Sequence, residues 1–368
     1  MKIKAVYLSG LNGIRAIAAV AVLVSHITLS LENFGLNPYI FGSMDDGNPQ
    51  GLSLAGFGVS IFFTLSGFMI TYLLLIEKKR GFINVNKFYK RRILRIWPLY
   101  YLFLLICLIC YHVFNLNYLA NSFYYYIFFG ANVAFVTGDT LPFLAHYWSL
   151  GVEEQFYIFF PWIAKLSNRL FLNFMIFGSF ILISLKIFLH FYFPGSLLEL
   201  FLHVTRFHCM LIGGIGGLLY YQERRIFIQI VNSFYIQVTA WLIILAVALN
   251  QFHLASVIDN ELISLVAVIL IVGQVSGQSP INLENRIMDY LGKISYGIYV
   301  IHPLIIFGYS RLGIELEFHT HLQYIIIYAS VILTTFLLAH LSYRYFELYF
   351  LKLKAKQSVV LSKSARYN

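Results

Sequence analysis

Arg15 and His26 stand eleven residues apart in a run made almost wholly of Ala, Val, Ile and Leu, with Ser25 beside the histidine. At 100° per residue that spacing is three turns plus 20°. Both side chains therefore share one helix face, roughly 16 Å apart along the axis. An imidazole titrates near working pH and can take a hydroxyl proton or carry an acyl group. A guanidinium can grip phosphate oxygens in pairs. On this helix alone a plainer reading stays open, in which Arg15 snorkels and His26 is a buried histidine with its nitrogens satisfied.

Four further stretches carry groups of the same kind. Gly58–Phe68 interleaves Ser60, Thr64 and Ser66 with small residues, which also permits close helix packing. Arg91, Arg92 and Arg95 fall on one face at i, i+1 and i+4. They could hold phosphates or lipid headgroups, or only obey the positive-inside rule. Trp148-Ser149 leads into Glu153-Glu154 and Tyr157, two acids expected in the first turn of an apolar helix. They serve either as dipole compensation or in chemistry. Ser295, Tyr299 and His302 are spaced four and three apart and share a face ahead of Pro303. The GxxxG of Gly213 and Gly217 reads as a packing surface, because no GK[ST] follows it. Cys107 and Cys110 form a CxxC inside an apolar segment and read as packing, and no metal site is assigned to them or to the loop pair His319 and His321.

These residues need a scaffold, and composition names it. The chain has 368 residues, 60% hydrophobic, 18% aromatic and 11% charged. Soluble domains carry roughly 25% charged residues. The shortfall excludes a soluble enzyme, a nucleic-acid binder and a disordered protein. It indicates an all-α, polytopic membrane bundle of about ten transmembrane helices. The net charge of +10 is read as cytoplasmic loops, not as nucleic-acid binding. Lys2 and Lys4 precede a first apolar stretch that Arg15 interrupts, so a retained helix is expected there and not a cleaved signal peptide.

Eleven apolar segments are candidates: Gly13–Leu31, Phe57–Ile76, Trp97–Phe114, Tyr118–Val136, Tyr147–Leu166, Leu170–Phe193, Phe207–Tyr221, Phe234–Asn250, Ser256–Val275, Leu291–Tyr309 and Gln323–Phe350. Between Glu77 and Arg95 lie eight basic residues and one acid, which assigns that loop to the cytoplasm. Arg224 and Arg225 assign another loop to that side. So do Lys352, Lys354, Lys356, Lys363 and Arg366 for the segment 351–368, read as a basic cytoplasmic tail after one membrane domain over 1–350. The acids Glu32, Asp45, Asp46, Asp259 and Glu261 lie in loops without basic residues and are expected outside. Both termini can be cytoplasmic only with an even number of crossings. Tyr118–Val136, with Asn121, Asn132 and several tyrosines, is therefore expected to be partial or interfacial.

Taken in order, the five blocks resemble the acyltransferase 3 family of integral membrane O-acyltransferases over roughly residues 8–350. Arg15 and His26 match an Arg-x10-His block, Gly58–Phe68 resembles the FF-x-x-SGF stretch, and Arg91–Pro98 the third block. Trp148–Pro161 matches WSL-x-x-E-x-x-FY, and Ser295–His302 matches SY-x-x-Y-x-x-H. Two positions depart: Asn12 where members often carry Asp, and Ala16 where Gly often follows the arginine. Some members carry a further hydrolase-like domain. None is expected here, since the sequence ends shortly after Phe350.

The resemblance implies transfer of an acyl group, usually acetyl, from cytoplasmic acyl-CoA to a hydroxyl of a cell-surface or lipid-linked saccharide at the inner membrane. In that scheme His26, Glu153, Glu154 and His302 are the catalytic candidates. Arg15, Arg91, Arg92 and Arg95 would hold the CoA phosphates. Ser66, Trp148, Ser149, Tyr157, Ser295 and Tyr299 would bind substrate. The expected partners are the bilayer, acyl-CoA and a saccharide or glycolipid acceptor, with no metal and no nucleic acid. The alternatives are a proton-coupled transporter or polysaccharide exporter, and a non-catalytic scaffold. The charge pattern places the C-terminus in the cytoplasm. A C-terminal tag should be protected in intact cells and labelled after permeabilisation, and labelling in intact cells would overturn the orientation.

Overall fold

The computed structural model describes residues 8–44, 47–312 and 320–356. Lys2, Lys4, Asp45, Asp46, His319, Lys363 and Arg366 lie outside the described residues. Among the described residues fifteen α-helices follow one another: α1 Leu11–Leu29, α2 Ser53–Lys79, α3 Val85–Val113, α4 Ser122–Ile127, α5 Ala131–Thr137, α6 Trp148–Ile163, α7 Asn168–Tyr192, α8 Leu197–Thr205, α9 Phe207–Tyr221, α10 Arg225–Val231, α11 Phe234–Ala248, α12 Asp259–Ser276, α13 Arg286–Arg311, α14 Thr320–Ser342 and α15 Leu348–Lys356. A π-helical turn, Tyr343–Glu347, joins α14 to α15. Among the described residues there is no strand beyond one isolated bridge, Ser43 to Pro49.

Among the described residues, eight helical stretches are long and apolar enough to cross a bilayer, and the bent pair α10–α11 raises that to nine. The chain is thus a multi-pass membrane protein. The one expected crossing outside these, Tyr147–Leu166, is α6. Its 16 residues extend about 24 Å, short of the roughly 30 Å hydrocarbon core. The segment Tyr118–Val136 forms α4 and α5, six and seven residues long, and neither can cross. Both fold back on the bundle: Tyr100 on α3 donates to Tyr126 O at 2.7 Å. The boundary expected at residue 350 falls inside α15, which runs on to Lys356.

Lipid accepts apolar side chains, so the outward faces are greasy: Phe177, Phe180 and Ile181 on α7 are largely exposed. Polar side chains turn inward and must be partnered there. Lys186 on α7, only 2% exposed, reaches Glu261 Oε1 on α12 at 2.6 Å, and His208 Nε2 on α9 lies 3.0 Å from the same oxygen. The sequence reading passed over Lys186 because an isolated lysine in an apolar run looks able to snorkel.

Two close approaches set the rest. A Cβ built on Gly213 of α9 would lie 2.0 Å from Thr64 O of α2, and one on Gly217 would lie 2.6 Å from Phe68 O. The GxxxG is therefore a packing surface, as its sequence indicated. On α13, a Cβ at Gly292 would lie 2.1 Å from Asn12 O of α1. Backbone cannot yield as a flexible side chain does, so bulk here forces the helices apart. Gly213→Val should destabilise the detergent-solubilised protein by at least about 1–3 kcal/mol, read as a lowered unfolding temperature. An unchanged transition would show the contact to be loose.

Candidate active site

The helices α1 and α13 hold the two histidines. His26 Nδ1 and His302 Nε2 are 2.8 Å apart, and the ring centroids are 4.9 Å apart. His302 Nδ1 lies 3.0 Å from Ile298 O, the carbonyl one turn earlier on its own helix. A carbonyl only accepts, so Nδ1 of His302 carries the proton there. In the neutral ring Nε2 is then an acceptor, and the shared proton belongs to His26 Nδ1. His26 Nε2 is left with its lone pair free. His26 lines a cavity of about 630 Å³ with Ser30, Asn33, Phe143, Phe307 and Arg311. Sites for small ligands usually measure roughly 300–1,000 Å³, so this one is large enough for a substrate.

A third imidazole completes the group. The His146 ring centroid is 5.4 Å from that of His302 and 5.1 Å from Tyr299. Its Nε2 is buried without a hydrogen-bond partner among the described residues. Sequence reasoning did not select His146. It sits in the 3₁₀ turn Ala145–Tyr147 just before α6, so no helical spacing links it to another polar group, and only packing against α13 brings it in. The three imidazoles are not arranged as a metal-binding group; no such group is found among the described residues.

On the other side of Tyr299 lies a second, narrower cavity of about 120 Å³. Arg15, Arg92 and Arg95 line it together with Ser66, Glu153, Tyr157, Ser149, Ser295 and Tyr299. Tyr299 OH donates to His146 O at 2.8 Å and is 2.7 Å from Ser149 Oγ. One tyrosine thus touches the imidazole group and walls the basic cavity.

Each charged group here is held from a different helix. Arg15 Nη1 donates to Asn12 Oδ1 at 3.3 Å, and Nη2 lies 2.7 Å from Met69 Sδ. Asn12 Nδ2 in turn donates to Asp289 Oδ1 at 2.7 Å, and Asp289 pairs with Lys293. An amide at position 12 can accept from the arginine and donate to the acid. An Asp at position 12 would face Asp289 across a like-charge repulsion. Glu153 accepts from Ser66 at 2.9 Å and from Tyr157 at 2.8 Å. Arg92 lies over the Tyr157 ring at 5.7 Å, with its Nε buried and unpartnered among the described residues.

Several expectations are met differently. Glu153 and Glu154 fall in the second turn of α6, and its first turn holds no acid, so they do not compensate the dipole. His26 Nδ1 is hydrogen-bonded to His302. Glu154 instead accepts from Trp97 Nε1 at 2.9 Å. Arg91 pairs with Glu77 at 2.8 Å and does not line the narrow cavity. Trp148 packs edge-on against Phe63 and beneath Arg206, and it too stands off the cavity wall. Ser295 lines the cavity while its hydroxyl donates to Gly292 O.

A family model described as an acyltransferase domain, acyltransferase 3, matches residues 8–340. The chain belongs to the acyltransferase 3 family. Similar proteins include O-acetyltransferase OatA of Staphylococcus aureus (strain NCTC 8325 / PS 47), 27% identical over 376 residues, covering 93% of this chain and 57% of that protein. Another S. aureus protein (strain COL), provisionally named an O-acetyltransferase, is 26% identical over 373 residues, covering 94% of this chain and 58% of its own length. The chain thus spans under three fifths of the length of these curated relatives. No solved structure matches it. The acyltransferase match takes in both histidine helices and the basic cavity.

The hydrogen-bond pattern fixes the tautomers. Nitrogen NMR of labelled protein should find both His26 and His302 protonated at Nδ1 in their neutral forms. An Nε2-protonated His26 would overturn the arrangement.

Proposed function

We propose that this chain is an O-acyltransferase of the cell inner membrane with both termini cytoplasmic, which takes the short helix α6 as a tenth crossing with the bilayer thinned around it. It moves an acyl group, acetyl, from cytoplasmic acyl-CoA to a hydroxyl of a cell-surface or lipid-linked saccharide. The observation that carries this is a histidine pair with a cavity near each member: His26 lines the wide one, and Tyr299, whose ring lies 6.1 Å from that of His302, walls the narrow one lined by arginines. The family match and the O-acetyltransferase relatives support the reaction class.

In this reading Arg15, Arg92 and Arg95 attract the phosphates of the donor. The narrow cavity is smaller than a usual ligand site, so its walls part as the thioester arm enters. The acceptor occupies the wide cavity, and His26 Nε2 takes its hydroxyl proton as the oxygen attacks the thioester carbon. The carbon–oxygen bond forms, the carbon–sulfur bond breaks, and the leaving thiolate recovers the proton from the imidazolium. His302 holds the imidazole through Nδ1 so that Nε2 faces the acceptor. That role is the one the acid fills in a Ser-His-Asp triad, here performed by a second imidazole. Ser149 and Tyr299, between the cavities, are placed to polarise the thioester carbonyl.

His26→Ala should lower acyl transfer by about 10²–10⁴-fold with membrane expression unchanged, measured with labelled acetyl-CoA and purified protein. Near-normal transfer by that variant would remove His26 from the chemistry. Arg15→Ala should instead weaken CoA binding, and an unchanged CoA affinity would remove the phosphate role.

A further inference from the structure

With both termini cytoplasmic, the connections that face outward are 30–52, 114–147, 193–206, 249–258 and 309–320. Together they hold two arginines, Arg206 and Arg311, and no lysine. Basic residues are scarce on that side of a membrane protein, so each calls for a reason. Arg206 has one inside the bundle. Its Nη1 donates to Ser60 Oγ at 3.0 Å and to Gly56 O at 3.2 Å, and the group lies over the Trp148 ring.

Arg311 has no such anchor. Its guanidinium carbon stands 5.2 Å from the centroid of Phe307, and among the described residues neither an acid nor a carbonyl engages its N–H groups. It closes α13, where a cation suits the helix dipole. The dipole, however, requires neither the ring beneath the arginine nor the cavity beside it.

Phe307 is itself clamped. The Phe143 ring centroid lies 4.4 Å away, and Phe114 meets it edge-on at 5.4 Å. Phe143 is held at φ 62°, a conformation that a bulky L residue rarely adopts. Strain of this kind collects at ligand clamps. Phe143, Phe307 and Arg311 form a stack that fixes one face of the guanidinium and leaves its N–H edge open. All three line the wide cavity with His26, and no acid does so among the described residues. Arg311 lies nine residues beyond His302 on α13, about 13.5 Å further outward along the axis.

We propose that the acceptor is an anionic saccharide, whose carboxylate or phosphate oxygens are bound by Arg311 in the wide cavity while a hydroxyl of the same molecule reaches His26. This rests on the acyl-transfer reading above and narrows the acceptor class within it. A guanidinium stacked on a ring offers an oxyanion two parallel N–H bonds, whereas a neutral sugar gains a single hydroxyl contact. The task of Arg311 is recognition, away from the reacting atoms.

Isolated membranes of cells producing the full chain, supplied with labelled acetyl-CoA, test this. The labelled saccharide should bind an anion exchanger. Loss of retention after carboxyl reduction identifies a carboxylate, and loss after phosphate hydrolysis identifies a phosphate; either result is expected. Label in a neutral saccharide would overturn the proposal. Arg311→Gln should lower transfer about tenfold, with CoA binding by the purified variant unchanged. Arg311→Lys, which returns the charge, should recover most of the rate. Arg344→Gln removes an arginine that also lies over a ring, that of Tyr345, but lines neither cavity. It should stay within about twofold of the parent. Parent-like transfer by Arg311→Gln would exclude Arg311 from acceptor binding. An equal loss of CoA binding would also sink the assignment, leaving Arg311 a packing role. If the parent transfers no label to any saccharide, the acyl-transfer reading itself fails.

Discussion

α1 and α13 lie against each other so closely that Gly292 has no room for a side chain beside the Asn12 carbonyl. The functional geometry hangs on that contact. The two helices run in the same direction. Asn12 meets Asp289 near their first turns, and fourteen residues later on α1 His26 meets His302 on α13. Each pair holds the other in register. A shift by one turn, 5.4 Å, would break both hydrogen bonds and strand four polar groups inside an apolar bundle. Arg15 sits between the two pairs, anchored to Asn12 and directed into the narrow cavity.

The other helices bring complementary groups to this spine. α2 supplies Ser66 and Met69, and its fit against α9 depends on Gly213 and Gly217. α6 supplies Glu153, Tyr157 and Ser149. α3 supplies the arginines. A second buried network, Lys186, Glu261 and His208, fastens α7, α9 and α12 away from the cavities. Removing one partner of such a pair leaves an uncompensated buried charge, which is far more disruptive than the net strength of the pair implies. The membrane makes these partnerships obligatory, because lipid offers no water to an unpartnered group.

Much of the site was legible because helical spacing is short-range information. Arg15 with His26, and Ser295 with Tyr299 and His302, could be placed on common faces by counting residues. The positions of Glu153 and Glu154 were misjudged because the start of α6 depends on the 3₁₀ turn before it. His146 escaped notice because its partners come from a helix some 150 residues away. Arg91 and Arg92 adjoin in sequence, yet one is taken up by Glu77 and the other faces the cavity. No local rule separates them.

By itself the sequence determined the solvent and the material of this protein. With 11% charged residues the chain must live in a bilayer, and in a bilayer its backbone must be helical. It also determined which few polar residues are candidates, since scarcity makes each conspicuous. Tertiary structure alone decided how they are paired. It gave the imidazole of His26 another imidazole as its partner and supplied through Asp289 the carboxylate absent at position 12. Those outcomes depend on distances between helices remote in sequence. Such distances follow from glycine contacts and buried partners acting together, which no local spacing encodes.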